Sequence, residues 1–282
     1  MKSRWFRPQC NHTESDHVWI MGVLNCTPDS FSDGGSYLNL ESAIDHAQAM
    51  CAQGAAIIDV GGESTRPGSD AVPLEKELAR VIPVTSALAK QGHYISVDTM
   101  KAAVMSQAIE AGASMINDVS ALTHDTDSLH LVADSGVDVC LMHMQGKPKS
   151  MQQQPEYVDV LQQVTDFFSR RIDVCLQAGI RESSIILDPG IGFGKRLEDN
   201  LALIQGIKNL KQTFNLPVLL GVSRKSFLGQ ITNCEVNDRE IETAVAGAMG
   251  ISYGADILRV HDVALQRRAV QVASAITSMQ RF

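Results

Sequence analysis

The chain has 282 residues, 44% hydrophobic and 20% charged. Disorder needs lower hydrophobicity and higher net charge, so most of the chain must fold, as one large domain or two ordinary ones. Lys and Arg number 24 against 32 Asp and Glu, a formal charge of -8 with no basic run, which excludes nucleic acid and anionic membrane as expected partners.

The longest apolar run near the N-terminus is Val18–Leu24. It falls well short of the ~20 residues of a membrane-spanning helix. Residues 1–17 are polar, contain Glu14 and Asp16, and lack the apolar core of a signal peptide. They read as an N-terminal lead-in to one domain, 18–282. Cysteines stand at 10, 26, 51, 140, 175 and 234, with no metal-ligand or redox spacing. Scattered thiols of this kind point to a reducing, cytoplasmic location.

Along the chain, short apolar runs alternate with amphipathic stretches. Val18–Leu24 predicts a strand, and a helix follows over Leu40–Gln53, stopped by Gly54. Ala56–Val60 is the second strand, with a helix from Pro73 to Lys90. Tyr94–Val97 is the third, with a helix over Lys101–Ala111 ahead of Gly112. Met115–Ile116 and Val137–Met142 are the fourth and fifth strands, trailed by helices at Ser128–Ser135 and Val158–Ala178. Ile185–Leu187, Pro217–Val222 and Ile257–Val260 complete eight, with helices at Asn200–Phe214, Ile241–Tyr253 and Leu265–Gln280. The strands are almost continuously apolar, as expected of a parallel sheet covered on both faces. Eight such units favour a (β/α)8 TIM barrel over an open doubly wound sheet.

In such a barrel the residues at C-terminal strand ends carry function. In order they are Asn25, Asp59, Asp98, Asn117, His143, Asp188, Ser223-Arg224-Lys225 and Arg259-Val260-His261. Singly, Asp59 or His143 is better read as structural, because polar residues end strands in any protein. Together around one mouth they form two sets. Asp98, Asn117 and Asp188 offer acceptor oxygens suited to a flat heterocycle rich in N–H groups. Lys225, Arg259 and His261 are cations suited to a phosphate or diphosphate, although Arg259 could equally pair with a barrel aspartate. Two long polar loops, 25–35 with Phe31 and Asp33 and 61–68 with Arg66, are candidate lids. The glycines of Gly190–Lys195 match neither a P-loop nor a dinucleotide fingerprint and suggest close backbone approach to a ligand. No Ser-His-Asp arrangement or paired-His zinc motif is present.

At these same places the sequence closely resembles dihydropteroate synthases. The matching segments are GVLNCTPDSFSDGG (22–35), IIDVGGESTRPG (57–68), ISVDT (95–99), IND (116–118), LMHMQGKP (141–148), LDPGIGFGK (187–195), GVSRKSFLG (221–229) and RVHDV (259–263). Cys26 replaces the family's usual small aliphatic residue. The resemblance implies condensation of 6-hydroxymethyl-7,8-dihydropterin diphosphate with p-aminobenzoate, with Mg²⁺ as cofactor. It implies a pterin pocket of Asp98, Asn117, Asp188, Lys225 and Arg259. Asn25, Arg259 and His261 would hold the diphosphate, with Asn25 also near Mg²⁺. Thr65, Arg66, Pro67, Phe193, Ser223 and Lys225 would form the aminobenzoate side. Asp98, Lys225, Arg259 and His261 are the implied catalytic set. The family is sulfonamide-sensitive, with Phe31 and Pro67 at resistance positions, and usually homodimeric; the small residues of Ala244–Gly250 suggest close helix packing between subunits. Rival readings are a pterin-binding methyltransferase and a non-catalytic pterin binder, neither of which should release diphosphate.

Overall fold

The computed structural model describes residues 18–26, 36–64, 69–146, 151–152 and 155–279. The lead-in 1–17 lies outside them, as do Phe31, Asp33, Thr65, Arg66 and Pro67. The element order is β1 (Trp19–Asn25), α1 (Ser36–Gln53), β2 (Ile57–Gly61), α2 (Leu74–Lys90), β3 (Ile95–Asp98), α3 (Ala102–Glu110), β4 (Met115–Asp118) and α4 (Ser128–Ser135). It continues with β5 (Asp138–Met142), α5 (Val160–Gln177), β6 (Ile185–Asp188), α6 (Leu197–Gln205), α7 (Ile207–Phe214), β7 (Leu219–Leu220), α8 (Ser226–Thr232), α9 (Glu240–Ser252), β8 (Ile257–Val260) and α10 (Val263–Met279). The strands are parallel and run in the order β6-β5-β4-β3-β2-β1-β8-β7, and a bridge between Leu187 and Val218 joins the two ends. The result is the TIM barrel expected from the alternation.

Successive strand residues point to opposite faces, so each strand serves two cores. One set of side chains, including Ile20, Ile58, Val97, Ile116, Leu141, Leu187, Leu220 and Leu258, packs outward against the helices. The other forms an apolar plug inside the barrel: Met21, Ile57, Met115, Cys140, Ile186, Leu219 and Ile257. Two residues further along, the inward positions turn polar: Asp59, Asn117, Asp188 and Arg259. The plug is therefore the floor of the site and the polar layer is its lining.

Two predicted elements change. The helix expected over Asn200–Phe214 is two helices, α6 and α7, meeting at Gly206. A Cβ there would stand 2.6 Å from Leu161 Cδ1, so this corner packs closely onto α5. The seventh strand shrinks from Pro217–Val222 to Leu219–Leu220. Pro217 has no N–H to give, and Val218 N donates to the Asp256 carboxylate (2.8 Å) instead of to a strand. The glycines of Ala244–Gly250 face inward: added Cβ atoms would meet Leu258 from Gly247 and Leu220, at 2.1 Å, from Gly250. They bring α9 close onto the barrel.

Candidate active site

Arg259 sits at the centre of the mouth. Its Nε donates to Asp59 Oδ2 (2.6 Å) and its Nη2 to Asp98 Oδ2 (2.8 Å). Burial opposes the charge on Arg259, but the carboxylates of Asp59 and Asp98 outweigh it and hold the guanidinium protonated. Asp59 is fully buried and also accepts from Ser96 Oγ (2.6 Å) and Asn117 Nδ2 (3.1 Å). Its role is structural, as its place at a strand end suggests, and it is the hub that orients two site residues. The available signal was its parity: Asp59 lies two residues after the plug residue Ile57 and so points inward.

The bond from Asn117 to Asp59 decides the amide's orientation. A carboxylate of this kind accepts, so the amide nitrogen faces it and Oδ1 faces away. Asp98 likewise commits Oδ2 to Arg259, and Asp188 commits Oδ1 to the N–H of Gly190 (2.7 Å). Among the described residues the second oxygens of Asp98, Asn117 and Asp188 carry no hydrogen bond. Three acceptors thus line the mouth from β3, β4 and β6. Burial pushes the Asp98 carboxyl up, against the pull of Arg259, and pushes Asp188 up against Gly190, Lys225 and Arg259.

The cations arrive from the β7 side. Arg224 adopts a left-handed conformation (φ 56°), uncommon for a side chain with a Cβ. It is held there by Glu240, by Thr243 Oγ1 on its N–H (3.1 Å), and by Arg239 on its carbonyl (3.3 Å). This turn presents Ser223 on one side and Lys225 on the other. The Lys225 ammonium lies 4.0 Å above the centre of the Phe193 ring, a cation–π contact. Ser223 Oγ stands 2.8 Å from Nδ1 of His261, just past β8. The structure therefore joins two residues the resemblance assigns to different substrates, Ser223 and His261, and pairs Arg259 both with the pterin-side Asp98 and with Asp59, which the resemblance assigns to neither.

Asn25 ends β1 and is half-buried; its Oδ1 lies 3.9 Å from where a Cβ on Gly61 would be, with Asp98 Cβ equally close to that point at 3.7 Å. The ends of β1, β2 and β3 thus converge. No group of three His, Cys, Asp or Glu suited to a metal occurs among the described residues. A cation held by Asn25 would share its coordination with substrate oxygens and water. That donor set fits Mg²⁺, which keeps several waters and favours substrate phosphates. His143, at the end of β5, is buried; burial and the neighbouring Lys195 push it down to about 3, so its ring is neutral.

A family model described as "Pterin binding enzyme" matches residues 21–261. The dihydropteroate synthase of Escherichia coli K12 is 46% identical over 263 residues, covering 93% of each chain. A crystal structure of the Yersinia pestis dihydropteroate synthase with a sulfonamide drug superposes with a TM-score of 0.89 at 43% identity, over 97% of this chain and 99% of that one. The Xanthomonas albilineans dihydropteroate synthase in complex with 7,8-dihydropteroate gives a TM-score of 0.83 at 40% identity, over 94% of this chain and 96% of that one. Barrel, polar mouth and near full-length identity agree, and the chain belongs to the dihydropteroate synthase family.

Proposed function

We propose that this chain condenses 6-hydroxymethyl-7,8-dihydropterin diphosphate with p-aminobenzoate, giving 7,8-dihydropteroate and diphosphate. The observation that carries this reading is Arg259 clamped between Asp59 and Asp98 beside three uncommitted acceptor oxygens. The oxygens of Asp98, Asn117 and Asp188 suit the N–H edge of the pterin. Two in-plane hydrogen bonds fix the guanidinium of Arg259 and leave its flat face for the ring. In the reaction the aniline nitrogen forms a bond to the pterin methylene carbon. The carbon–oxygen bond to diphosphate breaks, and the nitrogen's proton leaves to water or to the departing diphosphate.

Charge control is the protein's main contribution. Arg259 and His261 face the leaving diphosphate, and Asn25 would hold Mg²⁺, which when bound neutralises further phosphate charge. Asp98 lies where positive charge grows on the methylene. Phe193, Ser223 and Lys225 form the aminobenzoate side, with Thr65, Arg66 and Pro67 assigned there by family resemblance; sulfonamides would compete at this side. Phe31 and Asp33 belong to the loop that would close over the mouth. Purified protein given both substrates is expected to form dihydropteroate and release diphosphate, and EDTA is expected to abolish turnover. Unconsumed pterin diphosphate in the presence of Mg²⁺ would sink the assignment.

A homodimer is part of this reading. On α9, Ile241, Val245 and Met249 recur every four residues and are exposed, Val245 by 60%. Val272 and Ile276 do the same on α10, which packs beside α9. A contiguous apolar face of this kind suits a self-complementary subunit contact. Val245→Glu is expected to shift the light-scattering mass from twice 30.6 kDa to 30.6 kDa. An unchanged mass would move the interface elsewhere. No helix among the described residues is long and apolar enough to cross a membrane. The five described cysteines are free thiols, which supports a cytoplasmic site of action.

A further inference from the structure

The segment Gly190–Lys195 holds a buried cation that the reaction above does not use. Lys195 is only 3% exposed. Its Nζ lies 3.1 Å from His143 Nδ1, 3.2 Å from the His143 carbonyl oxygen and 3.0 Å from the Phe193 carbonyl oxygen. An ammonium has three N–H donors, and here it meets three acceptors. None of the three is a carboxylate. The neutral His143 ring accepts at Nδ1, which leaves its proton on Nε2.

Such a placement opposes folding. A buried charge with only neutral partners is unfavourable, and burial pushes Lys195 down to about 7 despite Asp188. The benefit must lie in what the ammonium holds. Gly190 (φ 68°) and Gly194 (φ 63°) press this segment onto β5; added Cβ atoms would fall 1.9 Å from the His143 carbonyl oxygen and 2.3 Å from that of Gln145. Asn200 Oδ1 takes the N–H of Gly192 (2.7 Å), and Tyr157 donates to the carbonyl of Gly194 (2.9 Å). Between them the Phe193 carbonyl is held by Lys195, and the Phe193 ring carries the Lys225 ammonium.

We propose that Lys195 is a positioning residue for the aminobenzoate side: by tying the Phe193 carbonyl to the end of β5, it sets where the Phe193 ring and the Lys225 ammonium stand. This rests on the reaction assigned above. It assigns a role to a residue outside the substrate-binding sets named above, and it explains why a cation is buried there at the expense of stability.

The test compares wild type with Lys195→Met and Lys195→Gln. Both variants are expected to raise KM for p-aminobenzoate about tenfold. KM for the pterin diphosphate should stay within twofold and kcat within threefold. A second readout separates positioning from simple structural support. The Lys195 proton is held less tightly in the folded chain than in the unfolded one, so the charge opposes folding fully below about pH 7 and progressively less as pH rises towards the ordinary lysine value. At pH 6, Lys195→Met should therefore melt at or above the wild-type Tm while binding p-aminobenzoate worse. Equal changes in both KM values, no change in either, or failure of both variants to fold would each overturn the proposal. Absence of product from the wild-type chain would overturn the underlying reading and this one with it. A wild type that turns over beside variants with unchanged KM values overturns this one alone.

Discussion

Asp98→Asn is expected to lower kcat/KM by roughly 10²–10³-fold, the range for losing one preorganised electrostatic group. The substitution keeps the shape and one acceptor oxygen. Arg259 retains Asp59 as its fully buried partner, so the mouth should stay assembled. What is lost is negative charge beside the methylene as diphosphate departs. A rate within threefold of wild type would rule out charge stabilisation by Asp98. The same residue sets a pH dependence. Burial pushes its carboxyl up, so the ionised form needed for catalysis is lost on the acid side above the ordinary carboxylate range. The acid limb of kcat/KM should lie there in wild type and shift in Asp98→Asn. Stability moves in the opposite sense. The folded carboxyl holds its proton more tightly than the unfolded one, so its contribution is full at low pH and is lost as pH rises through the folded value. Urea denaturation at several pH values should show that slope in wild type and a shallower one in the variant.

Asp59→Leu should have the largest effect on the fold. Asp59 has no exposed surface and receives three hydrogen bonds, from Ser96, Asn117 and Arg259. Removing one partner of a buried ion pair typically destabilises by about 3–5 kcal/mol, because the other charge stays buried. Asp98 still pairs with Arg259, which favours the lower end of that range. Asp59→Asn retains an acceptor for Ser96 and should lose less. Activity should fall in both, since Asn117 would lose the carboxylate that orients its amide. A shift in urea-derived stability below ~1 kcal/mol for Asp59→Leu would show that Asp59 is not the hub, because isolated surface substitutions fall in that range.

The alternation of apolar runs was enough to reveal eight strands and the barrel, because a strand buried on both faces must be apolar along its length. Strand-end position made Asp98, Asn117, Asp188 and Arg259 readable as lining the mouth, and period-two parity puts them on inward-facing rows. Parity says which way a side chain points, but not what it meets. The Asp59–Arg259 pair spans 200 residues of chain and exists only because β2 and β8 flank β1. The same holds for His261 on Ser223 and for Lys195 on His143, contacts between elements whose approach no local pattern encodes. The break at Gly206 and the short β7 also sit at tertiary contacts, the first against Leu161 and the second at the Asp256 carboxylate. What Gly247 and Gly250 meet was decided in the same way. Small residues permit close approach to any neighbour, and closure of the barrel brought Leu220 and Leu258 there. Local sequence thus determined the elements and which faces are polar. Closure of the sheet, which brings distant rows within hydrogen-bond distance, decided the pairs.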